Sequence, residues 1–303
     1  MRRIPDFIGG NFCMIITRNL TAAREKGKKP AISGLDLQVG EGESCALLGA
    51  NGAGKSTLLL ALVGLAPILS GSASVGGIEV QKKNFRKVRA LAGLVFQNSD
   101  DQLFCPTVID DVAFGIENSG VPRERAFETA EIWLERLSIQ NLRDCSPNEL
   151  SEGEKKRAAI CGVAAMQPEI MLLDEPSAQL DPRGKRELAD LLNSFKQTKI
   201  ISTHDMQFAR SVCNTAIVLD RGKLAARGNI DEILSDAPLL ERCFVENSAL
   251  LQSLRKFFTV KTPNISAHKN AIAAIGHKAV LTNFFGFLAL NGLFFYYGRH
   301  GNN

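Results

Sequence analysis

The chain has 303 residues, enough for one large domain or two smaller ones, and 45% of them are hydrophobic, which suits a packed globular core. Its net charge of +4 conceals an asymmetry: six of the 36 basic residues follow Glu246, the last acidic residue, leaving 30 against 32 acidic residues before them. A basic end on a near-neutral body points to an anionic surface rather than sequence-specific DNA. The seven scattered cysteines form no C-x-x-C pair, which excludes a disulfide framework or zinc site and fits a reducing compartment.

Residues 1–13 hold two arginines and no long apolar run, so they form an N-terminal extension rather than a secretory signal. "MIITRNL" from Met14 opens as a strand, followed by strand-like "LDLQV" at 35–39 and "SCALL" at 44–48. "STLLLALVGL" (Ser56 to Leu65) reads as a helix, then "ASVGGIEV" at 73–80 and "LAGLVF" at 91–96 read as strands. From "TVIDDVAFGIENSG" through "ERAFETAEIWLERLSI" the apolar spacing is helical, and strand signals return only at "EIMLLD", 169–174. Strand and helix then alternate through "RELADLLNSF", "KIIST", "MQFARSVC" and "TAIVLD". The pattern is an α/β core over 14–240 with a helical insertion at about 98–160, sized for three or four average helices.

Two stretches carry chemistry. "GANGAGKST" packs Gly49, Ala50, Asn51, Gly52, Ala53, Gly54, Lys55, Ser56 and Thr57 between a strand and a helix. Such a loop closes backbone N–H groups around an anion at a helix N-terminus, with Lys55 reaching the outer phosphates and the Ser56 hydroxyl ligating magnesium. The spacing therefore implies nucleotide binding. "EIMLLDE" ends a buried strand in two acids at the carboxyl edge of a parallel sheet, where Asp174 would hold magnesium and Glu175 would orient or deprotonate a water.

Between these landmarks lies "LSEGEKKR" (Leu150 to Arg157), which is similar to the LSGGQ signature of ABC-transporter ATPases. Gln97 in "VFQN", Pro176 after the two acids, "SAQLD" ending at Asp181, and His204 in "STHD" follow the order of that family's motifs. The resemblance covers roughly residues 14–240. It implies a P-loop ABC ATPase core, a RecA-like mixed sheet with an antiparallel β subdomain, plus a helical signature subdomain. It implies ATP and magnesium as ligands, and two such domains paired head to tail as a homodimer or with a paralogous ATPase. Ser151, Gly153 and Glu154 would contact ATP bound to the partner, with Asp181 in the adjoining D-loop. Gln97 would join Ser56 and Asp174 at the metal and couple it to the transport partner. His204 would contact the γ-phosphate beside Glu175 and Lys55.

Two departures from the family pattern stand out. Glu152 replaces the first signature glycine, adding a negative charge near the opposite triphosphate. "NLTAAREKGKKP" lacks the usual adenine-stacking aromatic, and Arg24 lies near its position, where a guanidinium plane can stack on a base.

"VFQNSDDQLFCPTVIDDVAFG" and "KIISTHDMQFARSVCNTAIVLDRGKLAARG" look like the ATPases of energy-coupling-factor importers, closest to the cobalt or nickel group. That likeness implies a separate energy-coupling transmembrane protein, a membrane protein that captures the substrate, and a peripheral place on the cytoplasmic side of the cell membrane. Asp100 and Asp101 would meet arginines on a coupling helix or form a solvated acidic loop. A vitamin importer of the same type is the alternative. A soluble ABC protein acting on nucleic acid or ribosomes lacks support, because neither a long coiled coil nor a second ATPase half is present. A catalytically inactive regulatory subunit has only Glu152 in its favour. The basic, apolar tail 241–303 includes the uncharged run Ala279 to Tyr297, about 28 Å long as a helix against a hydrocarbon core of ~30 Å. A packed helix, a poorly ordered extension and a membrane-contacting segment all remain open for it.

Overall fold

A computed structural model describes residues 11–244 and the short strand β1 (Phe7–Ile8); the tail after residue 244, with its run Ala279 to Tyr297, lies outside the described residues. In chain order follow β2 (Asn11–Ala22), β3 (Ile32–Gly40), β4 (Ser44–Leu48), α1 (Lys55–Leu62), β5 (Ile68–Val75), β6 (Ile78–Glu79), α2 (Phe85–Leu91) and β7 (Ala92–Val95). The helical insertion holds α3 (Val108–Asn118), α4 (Arg123–Arg136) and α5 (Glu152–Ala165). The chain then returns to β8 (Ile170–Asp174), α6 (Pro182–Ser194), β9 (Thr198–Ser202), α7 (Met206–Val212), β10 (Thr215–Asp220), β11 (Lys223–Asn229), α8 (Ile230–Ser235) and α9 (Ala237–Phe244).

Six strands form one sheet in the order β11-β10-β4-β9-β8-β7, parallel except for the antiparallel edge strand β11. A second, antiparallel sheet is built around β2, which pairs with β1, β3 and β5, and β5 pairs with β6. The strands of the parallel sheet are apolar on both faces, as sheets covered on both sides require. Alternate residues enter different cores. Cys45, Leu47, Leu172, Ile200 and Ile217 pack with α1 and the antiparallel sheet. Ala46, Leu48, Leu173, Ile201 and Val218 pack with α3 to α7. The helical insertion is thus rooted in the second core, where α3 packs on both α4 and α5.

Two local expectations shift. "ASVGGIEV" is two strands, because Gly76 and Gly77 (φ +55° and +71°) turn the chain between β5 and β6. The helix expected to reach Leu65 stops at Leu62: Gly64 turns left-handed (φ +67°), and a Cβ there would meet the Phe85 ring at 2.4 Å. All seven cysteines are free, and burial pushes the Cys45 and Cys161 thiols up to about 12, as inert core residues behave.

Candidate active site

Three parallel strands deliver the site to one edge of the sheet. β4 runs into the glycine loop, β8 ends at Asp174 and β9 ends at Ser202. The register sets Asp174 opposite Ser202, and the Ser202 hydroxyl donates to Asp174 Oδ1.

The glycine loop ends at Gly54, the N-cap of α1, which is left-handed (φ +104°) and supplies no side-chain cap. A Cβ on Gly54 would lie 2.6 Å from the Ala31 carbonyl oxygen, so only glycine fits. The free N–H groups of the first turn of α1 are therefore left for an anion. Lys55 is 7% exposed; its Nζ donates to the carbonyls of Gly49 (2.8 Å) and Ala50 (3.3 Å) and lies 3.8 Å from Glu175 Oε1.

Glu175 follows Asp174 in a left-handed conformation (φ +47°), a placement that costs a non-glycine residue about 1–3 kcal/mol. Its N–H is held by the Ser202 carbonyl at 3.0 Å and by the Ser202 hydroxyl. The side chain is buried, and Oε2 lies 2.9 Å from His204 Nδ1. That hydrogen bond to Glu175 raises the His204 pKa above its ordinary value despite partial desolvation. Lys55, Glu175 and His204 thus form one contact chain, joined to Asp174 through Ser202.

The predicted signature residues sit elsewhere. Ser151 is the N-cap of α5, where its backbone N–H (2.9 Å) and hydroxyl (2.6 Å) both donate to Glu154 Oε2. These bonds hold the Glu154 carboxyl below its usual range. A Cβ on Gly153 would touch the Leu180 side chain, so the signature adjoins the turn ending at Asp181. Asp181 caps α6 by accepting from the Gly184 N–H at 2.7 Å. Arg157 on α5 and Glu187 on α6 pair at 2.9 Å. Among the described residues, Ser151, Gly153, Glu154 and Asp181 make no hydrogen bond or ion pair with the chain's own glycine loop or Glu175.

A family model described as ABC transporter matches residues 32–178. The energy-coupling factor transporter ATP-binding protein of Carboxydothermus hydrogenoformans is 40% identical over 242 residues, which cover 79% of this chain and 89% of that protein. The chain belongs to the ABC transporter family. CbiO1 from Clostridium perfringens, titled as part of the ABC transporter complex cbiONQ, aligns with TM-score 0.65 and 31% identity over 79% of this chain and 96% of its own. The dimeric cassette MJ0796, solved with ADP and phosphate in a post-hydrolysis state, aligns with TM-score 0.65 and 25% identity over 72% and 99%. This chain is accordingly an ATP-binding, ATP-hydrolysing ABC cassette, with the α/β core and helical subdomain expected from its motifs.

The residue types expected at the metal suit magnesium. Ser56, Asp174 and Gln97 offer hydroxyl, carboxylate and amide oxygens, the hard set that magnesium takes with one or two carboxylates and substrate phosphates. Asp174 is 7% exposed and has no ion-pair partner among the described residues. The Lys156 ammonium acts on it electrostatically without an ion-pair contact, and the Ser202 hydroxyl donates to Oδ1, so among the described residues it has no direct partner of opposite charge.

The segment after β7 is tied to α5. Gln97 leaves β7 with its side chain exposed, while its carbonyl accepts from Lys156 Nζ at 2.7 Å. Asp100 pairs with Lys155 at 2.8 Å, and Lys155 also lies 3.4 Å from Glu152. The charge added by Glu152 is thus partly balanced by its own helix. Arg24 is exposed in the loop after β2.

Sequence reasoning missed Ser202 and Lys156. Ser202 was visible only as the polar end of "KIIST"; Lys156 was one charge in a charged run. It also missed a cavity of about 730 Å³ between the sheet and the helical subdomain. Leu65, Phe104, Phe114 and Met166 line it and are 39–66% exposed, and the Phe104 and Phe114 rings meet edge to face at 4.9 Å.

Proposed function

We propose that this cassette powers an energy-coupling-factor-type importer for cobalt or nickel ions, acting on a separate transmembrane protein beside a substrate-capturing membrane protein. The observation that carries the partner is the apolar cavity. Monomeric proteins rarely leave such large apolar side chains exposed together, and an amphipathic helix laying its apolar face there would cover them. Arg86 also lines the cavity and gives that helix a charged group to meet, whereas Arg89 and Asp111 are occupied by the chain's own backbone. The names of the energy-coupling factor relative and of cbiO1 support this reading over other ABC systems.

In the reaction, the loop N–H groups and Lys55 hold the ATP phosphates, and Ser56, Asp174 and Gln97 hold magnesium. When bound, the metal neutralises charge on the phosphate oxygens. Glu175 accepts a proton from the attacking water. As the imidazolium, the form its raised pKa favours, His204 donates Nδ1–H to Glu175 and Nε2–H to the γ-phosphate. Ser151 and Gly153 of a second cassette, a copy or a paralogue, close each site from across the pair. The basic, apolar tail sequence holds the cassette against the cytoplasmic membrane face. A chain ending at Ser248 should float with anionic vesicles less than the full chain does.

The deciding experiment is purification of the tagged protein from membranes, identification of what accompanies it, and uptake of radioactive cobalt, nickel and vitamins with and without it. Co-purification with two membrane proteins and cobalt- or nickel-dependent uptake is expected. Vitamin uptake would reassign the cargo, and recovery solely with ribosomes or DNA would overturn the importer.

A further inference from the structure

The sheet ladder between β7 and β8 ends at the pair Val95 and Leu173. Beyond it, the backbone of Phe96 and Gln97 is held by side chains rather than by a neighbouring strand. The Phe96 N–H donates to Gln102 Oε1 at 3.1 Å, and Gln102 Nε2 donates to the Ala159 carbonyl of α5 at 2.9 Å. The Phe96 and Gln97 carbonyls both accept from Lys156 Nζ, at 3.2 and 2.7 Å. Lys156 is part of α5, the helix whose N-cap is Ser151, and Gln102, in the loop before α3, is tied to that helix through Ala159.

Lys156 is an unusual choice for this position. It is 4% exposed and forms no ion pair among the described residues. Burial depresses its pKa, while Asp174, Glu152 and Glu175 pull it upward. An apolar residue would fill the space without desolvating a charge, so a buried lysine here argues for specificity of placement rather than for stability. What the ammonium specifies is on the page: two consecutive carbonyls at the start of the coupling segment.

We infer that Lys156 is a positioning residue for ATP hydrolysis, acting through Gln97 by fixing the backbone from which the Gln97 side chain reaches the metal and γ-phosphate. The same contact fastens that backbone to α5, so the signature end of the helix and Gln97 move as one piece. Phe96, Gln102, Ala158 and Ala159 also line the apolar cavity, so a helix seated there bears on this strap. The inference rests on the proposed role of Gln97, and not on the identity of the cargo.

The test uses the purified full chain with magnesium and ATP, comparing Lys156→Met, Lys156→Arg, Gln97→Ala and the double variant Lys156→Met/Gln97→Ala. Lys156→Met should lower kcat about tenfold or more while nucleotide affinity stays within about threefold, the pattern of a group that matters for turnover rather than for binding. The double variant should be no more than about twofold worse than the poorer single variant, because residues acting through one another are not additive. Lys156→Arg, which keeps a donor on the carbonyls, should recover most of the loss. If Lys156→Met does not fold, Gln102→Ala, which cuts the other half of the strap, enters the same cycle with Gln97→Ala. Turnover above about half of wild type in the strap variant, or losses that multiply in the double variant, overturns the inference alone. Normal turnover in Gln97→Ala overturns the reading of Gln97 and this inference with it.

Discussion

Replacing Glu175 with Gln isolates the proton-accepting role from shape. The side chain is 7% exposed and meets a partner at each oxygen, His204 Nδ1 at 2.9 Å and Lys55 Nζ at 3.8 Å. A glutamine can keep its carbonyl towards His204, but its amide then turns a donor towards the Lys55 ammonium. Lys55 retains the Gly49 and Ala50 carbonyls, so the glycine loop keeps its form. A carboxylate beside the triphosphate is also removed, and repulsion of bound ATP falls. General-base groups typically contribute 10²–10⁴-fold, or about 2.7–5.5 kcal/mol of barrier at 1.36 kcal/mol per decade. Glu175→Gln should therefore lose about 10²–10⁴ in kcat with ATP affinity unchanged or tighter, and should accumulate as an ATP-bound pair of cassettes. Phosphate release across a range of ATP concentrations, equilibrium nucleotide binding and size-exclusion chromatography with ATP read these separately. Turnover within about threefold of wild type would place the proton acceptor elsewhere. Affinity weakened more than about tenfold at unchanged kcat would make Glu175 a binding group instead.

Lys55→Ala, in contrast, should weaken ATP binding itself by about tenfold or more, because charge-assisted bonds to phosphate contribute about 1.5–3 kcal/mol; titration with a fluorescent nucleotide checks this. Glu152→Gly should change turnover by less than about fivefold, since the partly exposed Glu152–Lys155 pair is of the kind that contributes about 0–1 kcal/mol and Lys155 keeps Asp100. The His204 pKa is raised above its ordinary 6.5 by Glu175, so the contribution of this pair to stability is complete below that value and disappears as pH rises through the raised one. Melting curves of wild type and His204→Ala should accordingly differ at about pH 6 and converge at about pH 9.

The phosphate loop was legible because its chemistry and its backbone requirement coincide: the left-handed N-cap at Gly54 can be read from glycine spacing between a strand and a helix. Asp174 and Glu175 were legible for a similar reason, as acids that end an apolar strand. The hairpin at Gly76–Gly77 was hidden because two short strands on either side of a turn share one composition. Strand β11 escaped because "KLAARGN" lies at a sheet edge, is largely open to solvent and has no apolar alternation. Ser151 and Glu154 carry a S-x-x-E spacing that also announces a capping box, and the structure uses both residues in that way. Lys156 could not be found from sequence: its burial depends on α5 passing beneath the exit of β7, a packing decision made some sixty positions away along the chain.

The separation of the signature from the chain's own phosphate loop leads to a last expectation. One cassette presents Lys55, Asp174, Glu175 and His204 at its sheet edge, while Ser151 and Gly153 adjoin Leu180 and Asp181 at the ends of α5 and α6. Half of each proposed site is then missing from a single copy, and turnover requires two. Below the dissociation constant of the pair, the population of pairs rises with the square of protein concentration, so activity per milligram should rise in proportion to concentration and level off above it. Mixing separates this from nonspecific loss on dilution. Lys55→Ala has a faulty phosphate loop and an intact signature, and Ser151→Ala has the reverse. Each should be nearly inactive alone. An equal mixture assorting at random gives about half mixed pairs, each with one complete site of two, and should regain about a quarter of wild-type activity if the sites fire independently. Ser151→Ala also loses the cap of α5, a cost of about 1 kcal/mol, so its melting temperature must be shown to leave it folded at the assay temperature. Activity per milligram that is flat on dilution, together with a mixture as inactive as its components, would show that each copy completes its own site.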